Sequence, residues 1–322
     1  MEDEILQKYQ VRKSNKQKTE FMDYLKHRLA ESGYDPEKDI VVETRWKGIL
    51  KTSNIIVGNP EEAEVFMTAH YDTCAVIPFP NLMAPTNYFL FWTYQIILAV
   101  IIILFAGLIA FPIGLLTQSF WLSYNAFLWA LIGLIFHLMF GFRNKHTAND
   151  NTSGVIAVTR ILENLPQEHR KKVCVVYFDN EEKGLFGSMF FASKHKKTAK
   201  DKLLINLDCV GDGKHVVTMA KGAARKDKNY SLLCDEFTRN AVGSEVVYLC
   251  KKMKPMMFPS DQTNFNKGIG VCALKKSPIG MYVARIHTPF DTRCREENID
   301  FLTRALVGFA EKIQIENNNG AE

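Results

Sequence analysis

Between Asp72 and Arg143 the sequence contains no Asp, Glu, Lys or Arg, a gap of 70 residues in a chain of 322. A stretch that long without charge cannot clothe a water-soluble surface, because a surface helix normally carries a charged face. Two apolar segments fill it, Tyr88 to Pro112 and Phe120 to Phe142, joined by Ile113 to Ser119. At about 1.5 Å of rise per residue, each is long enough as a helix to cross a hydrocarbon core of about 30 Å. Aromatic residues mark the ends, as they do at bilayer interfaces: Tyr88, Phe89, Trp92 and Tyr94 on the first segment, Trp121, Tyr124 and Trp129 on the second. Residues 87–142 are therefore expected to form a transmembrane helical hairpin (88–112 and 120–142), set into a domain made of residues 1–86 and 143–322. A hairpin returns the chain to the side it left, so both polar parts share one face of the bilayer. Its link carries no Lys or Arg, while Arg143 and Lys145 follow the second span at once. The positive-inside rule then places the polar body in the cytoplasm. His137, inside the second span, is expected to contact the first helix or the interface.

Outside this window the chain is strongly polar. The net charge of +5 is mild, and the basic clusters at Arg12 to Lys18, His195 to Lys202 and Lys251 to Lys254 read as solvated faces or as attraction to anionic lipid. No basic groove interleaved with aromatics is apparent, so nucleic acid is not an expected partner. The seven cysteines form no CxxC pair, which fits a reducing compartment rather than a disulfide framework. The acidic start, Met1 to Leu6, is not a secretory signal.

Periodicity predicts an amphipathic helix from Ser14 to Ser32, then short strands at Ile40 to Val42 and Ser53 to Val57. A strand over Glu64 to His70 ends in His70-Tyr71-Asp72, and a buried strand over Val173 to Phe178 ends in the adjacent carboxylates Glu181 and Glu182. Another, Leu203 to Leu207, ends in Asp208; further strand signals lie at His215 to Met219, Val246 to Leu249 and Gly270 to Leu274. Helices are expected over Val155 to Leu165, Gly187 to Lys194 and Phe301 to Ile315, the last capped by Asn298. Alternating strands and helices predict an α/β fold: a mostly parallel, doubly wound mixed sheet flanked by helices, carrying the inserted hairpin. The stretch Met253 to Phe258 is expected to be core, with a specificity pocket as its alternative.

Open α/β sheets bind ligands beyond the carboxyl ends of their strands. His70, Asp150, Glu181, Glu182, Asp208 and His287 all fall at strand ends or in loops. Taken alone, such a His is more often a hydrogen-bonded structural residue, and Asp150, just before a helix, reads as an N-cap. Together, two imidazoles and several carboxylates suit zinc or a similar divalent ion. They exceed one tetrahedral site, and a pair of ions sharing a carboxylate would use them economically. Spacing does not assign residues to ions.

Five motifs carry a resemblance: His70-Tyr71-Asp72; Ala148-Asn149-Asp150-Asn151 with Ser153-Gly154; Phe178-Asp179-Asn180-Glu181-Glu182 with Gly184-Leu185 and Gly187-Ser188; Asn206-Leu207-Asp208 with Val210-Gly211; and His287-Thr288-Pro289 with Asp291-Thr292. In this order the string resembles the co-catalytic zinc aminopeptidase family, which includes bacterial leucyl aminopeptidases and is related to glutamate carboxypeptidases and glutaminyl cyclases. The likeness covers roughly residues 40 to 316 apart from the hairpin. It implies two Zn2+ ions bridged by Asp150, one completed by His70 and Asp208, the other by Glu182 and His287. It also implies Glu181 as general base and Asp72 as the residue orienting His70. The expected activity is a membrane-anchored aminopeptidase acting on a peptide with a free N-terminus, through a metal-activated water. Alternatives are a metal-dependent amidase or deacylase, a glutaminyl cyclase acting on amphiphilic amides, and a non-catalytic receptor-like or scaffold domain. The family often has Ser-Asp-His where this chain has Ser260-Asp261-Gln262, so a substrate-side contact is expected to differ. The hairpin lies between His70 and Asp150, so the active site is expected to open close to the membrane surface.

Overall fold

A computed structural model of the chain describes residues 2–77, 81–252, 258–278 and 280–314. Its organising strand is β4, Val173–Phe178, buried at every position. Alternate side chains supply two cores. Val173, Val175 and Tyr177 face one, while Cys174, Val176 and Phe178 face the other. A sheet covered on both faces needs runs of this kind, and β3 (Val65–His70) and β5 (Leu203–Leu207) are likewise buried throughout.

Before β3 come two helices and a hairpin of strands: α1 (Glu4–Lys8), α2 (Asn15–Glu31), β1 (Ile40–Lys47) and β2 (Leu50–Val57). After it come α3 (Tyr88–Thr117), α4 (Phe120–Phe140) and α5 (Gly154–Asn164), which leads to β4. The chain continues through α6 (Phe186–Lys194), α7 (Lys196–Ala199), β5, β6 (His215–Ala220), α8 (Tyr230–Ala241) and β7 (Val247–Lys252). It closes with β8 (Gly268–Ser277), β9 (Gly280–Tyr282) and α9 (Glu296–Lys312). The sheet order is β1-β2-β4-β3-β5-β8-β6-β7, with β9 on β8. The central four strands, β4-β3-β5-β8, run parallel; the pairings β1-β2, β2-β4, β6-β8 and β8-β9 are antiparallel. The result is the mixed α/β sheet flanked by helices that the alternation predicts. Helices α2, α5, α8 and α9 cover one face, and α6 covers the other. His70, Glu181, Glu182 and Asp208 thereby all leave the carboxyl end of the parallel strands.

Local signals explain several boundaries. Ser14 caps α2 in a reciprocal capping box with Gln17. The basic cluster Arg12 to Lys18 is only in part a solvated face: Lys16 is exposed, but Arg12 and Lys18 are buried, Lys18 pairing with Asp179. Asn298 does not cap the last helix. α9 begins at Glu296, and the Asn298 side chain donates instead to Val210 O (2.8 Å) and Gly213 O (2.7 Å), holding the loop after Asp208. Of the stretch Met253 to Phe258, only Phe258 lies within the described residues, and it is buried.

α3 and α4 are both long and apolar enough to cross a membrane. α3 does not stop at Pro112 but continues to Thr117, leaving a link of Gln118 and Ser119. Proline removes only one N–H from the ladder, whereas ending the helix there would leave the last turn's carbonyls without intrahelical partners. Ala106 and Ala110 are buried against α4, Ser123 Oγ donates to Ala110 O at 3.1 Å, and a Cβ on Gly114 would come within 2.9 Å of Ser123 Oγ. Small residues four apart let the two backbones approach. The outer surface is apolar and exposed, including Phe105, Leu108, Phe111, Trp121 and Trp129. His137 packs edge-on against Phe142 near the end of α4.

Candidate metal centre

His70 is the last residue of β3, and its ring sits between carboxylates. Nε2 lies 3.4 Å from Asp150 Oδ1 and 3.6 Å from Asp208 Oδ1. Across the site, His287 Nε2 lies 3.1 Å from Asp150 Oδ2 and 3.2 Å from Glu182 Oε2. The two oxygens of one carboxylate, Asp150, thus address different imidazoles. Asp208 stands on one side of it and Glu182 on the other. Glu181 joins the same cluster beside His70 and Glu182. All six ligand-type residues converge, and Asp150 lies in the irregular turn Ala148–Ser153, not at the cap of α5.

Asp72 has a fuller task than orienting an imidazole. Its carbonyl oxygen is 3.2 Å from His70 Nδ1 and its carboxylate is 3.6 Å away. The carboxylate accepts hydrogen bonds from the backbone N–H groups of Glu181 (2.9 Å) and Glu182 (3.3 Å). One aspartate therefore ties the end of β3 to the loop that follows β4.

Other positioning residues escaped the sequence reading. Asn151 Oδ1 accepts from Gly154 N (3.1 Å) and Cys209 N (3.2 Å), and its amide donates to Leu207 O (2.9 Å). Asn149 Oδ1 accepts from Gly211 N (2.7 Å) and Asp212 N (2.9 Å). These bonds lock the Asp150 turn to the Asp208 loop, which is why Asn149 and Asn151 flank Asp150. Asp291 receives the backbone N–H of Asn149 (2.8 Å) and Asp150 (3.0 Å). The buried Arg12 guanidinium joins Tyr71 O to Thr152 Oγ1, bracing β3 against the same turn. Cys74 also enters the cluster, its sulfur near Glu182 and His287; its only sequence signal is a place four residues after His70. Asn180, Leu185, Cys209, Arg285 and His287 all have positive φ, between 55° and 63°. Non-glycine residues rarely adopt this left-handed conformation, and here they crowd the loops around one site.

The charges are mutually dependent. Burial opposes protonation of His70, but Glu181, Asp150, Asp208 and Asp72 outweigh it and hold its pKa well above the usual value. Burial raises the Glu181 carboxyl well above the carboxylate range; His70 opposes this while Glu182, Asp261 and Asp208 add to it. Burial and Asp150 do the same to Glu182. Asp150 goes the other way: both imidazoles overcome its burial and lower its pKa. Burial and neighbouring carboxylates also bring Asp261 to about 7, and burial with Asp150 brings Asp291 to about 8. So many acids in one buried place carry more negative charge than two imidazoles can balance, and divalent cations would relieve it. Glu182 Oε1 and Asp208 Oδ1 are buried oxygens that accept no hydrogen bond. Each belongs to one of the two groups around Asp150. The nitrogen and oxygen donors suit zinc, so the residues present fit such ions.

The cavity over this cluster measures about 340 Å³. A larger concavity, about 1020 Å³, is lined by Glu61, Lys171, Lys202 and Lys267. Those residues precede the parallel strands, so it opens at the opposite end of the sheet from the titratable cluster.

The sequence pattern of peptidase family M28 matches residues 137–305, more than half of the chain. The chain belongs to peptidase family M28. That match contains Asp150, Glu181, Glu182, Asp208 and His287, while His70 and Asp72 join them through the fold. Solved structures with the M28-like fold include the Legionella pneumophila LapA aminopeptidase, at 13% identity and TM-score 0.53, covering 97% of this chain and 68% of that one. A Zn-dependent exopeptidase from Parabacteroides distasonis is 14% identical with TM-score 0.54, covering 94% and 92%. The Fimbriiglobus ruber glutaminyl cyclase is 14% identical with TM-score 0.55, covering 96% and 93%. No curated protein matches the sequence. Membership of family M28 makes the chain a metal-dependent, peptidase-like hydrolase.

Proposed function

We propose that this M28 chain is a membrane-anchored aminopeptidase holding two zinc ions. The observation that carries the reading is the placement of Asp150, one carboxylate oxygen toward His70 and Asp208, the other toward His287 and Glu182. In this assignment Asp150 would be shared, with His70 and Asp208 holding one ion and Glu182 and His287 the other. The bound ions would polarise the scissile carbonyl and activate a water. Glu181 acts as general base, taking a proton from the attacking water and passing it to the leaving amine. Without bound ions, burial among acids holds its carboxyl well above the carboxylate range, and bound cations would lower it, favouring the carboxylate that accepts the proton. Asp72 holds Glu181 and Glu182 in place through their backbone N–H groups and steadies the His70 ring. The fold shared with the LapA aminopeptidase and a Zn-dependent exopeptidase supports a substrate with a free N-terminus.

Residues 1–86 and 143–322 form the peptidase body in this reading, and 87–142 the hairpin that anchors it in a lipid bilayer. Arg143 and Lys145 favour a cytoplasmic body. The test uses detergent-purified full chain and aminoacyl fluorogenic substrates with free and blocked amines. Turnover of free-amine substrates that is lost with a chelator and restored by zinc is expected. Turnover confined to blocked amines, or cyclisation of N-terminal glutamine alone, would overturn the aminopeptidase assignment.

A further inference from the structure

The wall of the cavity is not built by the peptidase body alone. Met139, on the last turn of α4, lines it beside His70, Asp150 and Glu181, and so do Asn81 and Met83 from the segment leading into α3. Both feet of the hairpin are fastened to the catalytic loops. At the α4 foot, Lys13 Nζ donates to Met139 O at 3.2 Å, a cation at the negative end of the helix. Val76 N–H donates to Phe142 O at 2.8 Å, Ala75 and Arg143 form a β-bridge, and the Lys183 ammonium lies 6.0 Å from the Phe140 ring. At the α3 foot, Val283 N–H donates to Met83 O at 2.8 Å, and the Met83 side chain packs on the cluster of Cys209, Phe258 and Ile286. Leu185, Phe258, Pro259 and Ile286 add to the apolar part of the lining. A tether would need none of these contacts with the site.

We infer that Met139 and Met83 are specificity-determining residues, so that the hairpin supplies part of the pocket that receives the substrate's first side chain. The pocket selects apolar N-terminal residues, and methionine's flexible thioether lets it close around aliphatic and aromatic shapes alike. The inference rests on the aminopeptidase reading and names its substrate class. It also sets the mouth of the site at the foot of the hairpin, where amphiphilic peptides collect on a bilayer surface.

The experiment measures kcat/KM of the full chain in detergent on alanyl, leucyl, phenylalanyl and lysyl amidomethylcoumarins, each with a free and an acetylated amine. Wild-type protein is expected to favour leucyl and phenylalanyl substrates over lysyl. Met139→Ala is expected to lower the leucyl-to-alanyl ratio about tenfold, the lower end of what a few methylenes contribute in an apolar pocket. Met83→Ala should lower it in the same direction, and Met139→Leu should restore most of the ratio. Ile132→Ala, seven residues earlier on α4 and facing outward, should leave it unchanged. Because each ratio is taken within one variant, partial loss of folded protein does not mimic the effect. Ratios unchanged in both alanine variants, with turnover intact, would overturn the inference alone. Turnover confined to acetylated substrates would overturn the aminopeptidase reading, and the same leucyl-to-alanyl ratio would still test the wall. Absence of turnover on every substrate overturns both.

Discussion

Replacing Glu181 by Gln should separate chemistry from metal binding. The backbone N–H of Glu181 donates to Asp72 Oδ1 at 2.9 Å, a contact that does not involve the side chain being changed, so glutamine occupies the same place. The substitution removes an acid whose own proton affinity Glu182, Asp261 and Asp208 already raise. Repulsion from the other acids falls while attraction to His70 is lost, so the two effects oppose and the melt is expected close to wild type. None of the five residues assigned to the ions is altered, so metal content stays at the wild-type value. What disappears is proton transfer in the transition state. A positioned general base contributes about 10²–10⁴-fold, equivalent to roughly 2.7–5.5 kcal/mol of barrier. The assay pairs steady-state kinetics on the preferred aminoacyl substrate with plasma mass spectrometry of bound zinc and a thermal melt. A fall in kcat of that size, with KM changed only a few-fold and metal retained, is expected, since an interaction made only in the transition state moves kcat. Unchanged kcat would remove Glu181 from the mechanism, and a fall that tracks lost metal would make it a ligand instead of a base.

Asn151→Ala removes an acceptor for two buried N–H groups and a donor to Leu207 O, which should destabilise the chain by about 1–3 kcal/mol per group left unsatisfied and weaken zinc binding; a denaturation midpoint and a zinc titration both read it, and wild-type values in both would refute the positioning role. Cys250 faces Cys234 at 3.7 Å and the Tyr230 hydroxyl at 2.9 Å, and the Cys234 thiol in particular lowers its pKa to about 5. Because the lowered value favours the thiolate in the folded state, Cys250 should be alkylated at pH 7 faster than the buried cysteines, and the reaction should fade as pH falls through about 5. The stabilisation linked to that thiolate is full above the ordinary thiol pKa and is lost over the same descent. Peptide mapping after iodoacetamide treatment at several pH values measures the rate, and an ordinary thiol profile would refute it.

Much of the fold was legible because its signals are local. The 70-residue gap in charge marks the hairpin without any knowledge of packing, and continuous apolar runs ending in His70, Glu181 and Asp208 announce buried strands with functional ends. What escaped depends on tertiary partners. Arg12 and Lys18 look like part of a basic surface until Tyr71, Thr152 and Asp179 surround them. Asn298 carries a capping residue's chemistry, but its amide reaches Val210 and Gly213 across the sheet end. Pro112 is a helix breaker by local rules, yet α3 runs through it to Thr117. Asn149 and Asn151 stood inside a motif without an assigned task, because Leu207, Cys209, Gly211 and Asp212, which they hold, lie more than fifty residues away.

Anomalous diffraction at the zinc edge from crystals of the full-length protein reads the centre itself. Two peaks are expected, one on each side of the Asp150 carboxylate, the first within coordination distance of His70 and Asp208 and the second of Glu182 and His287. A single peak, or peaks that do not touch Asp150, would contradict the two-ion centre from which the proposed chemistry follows.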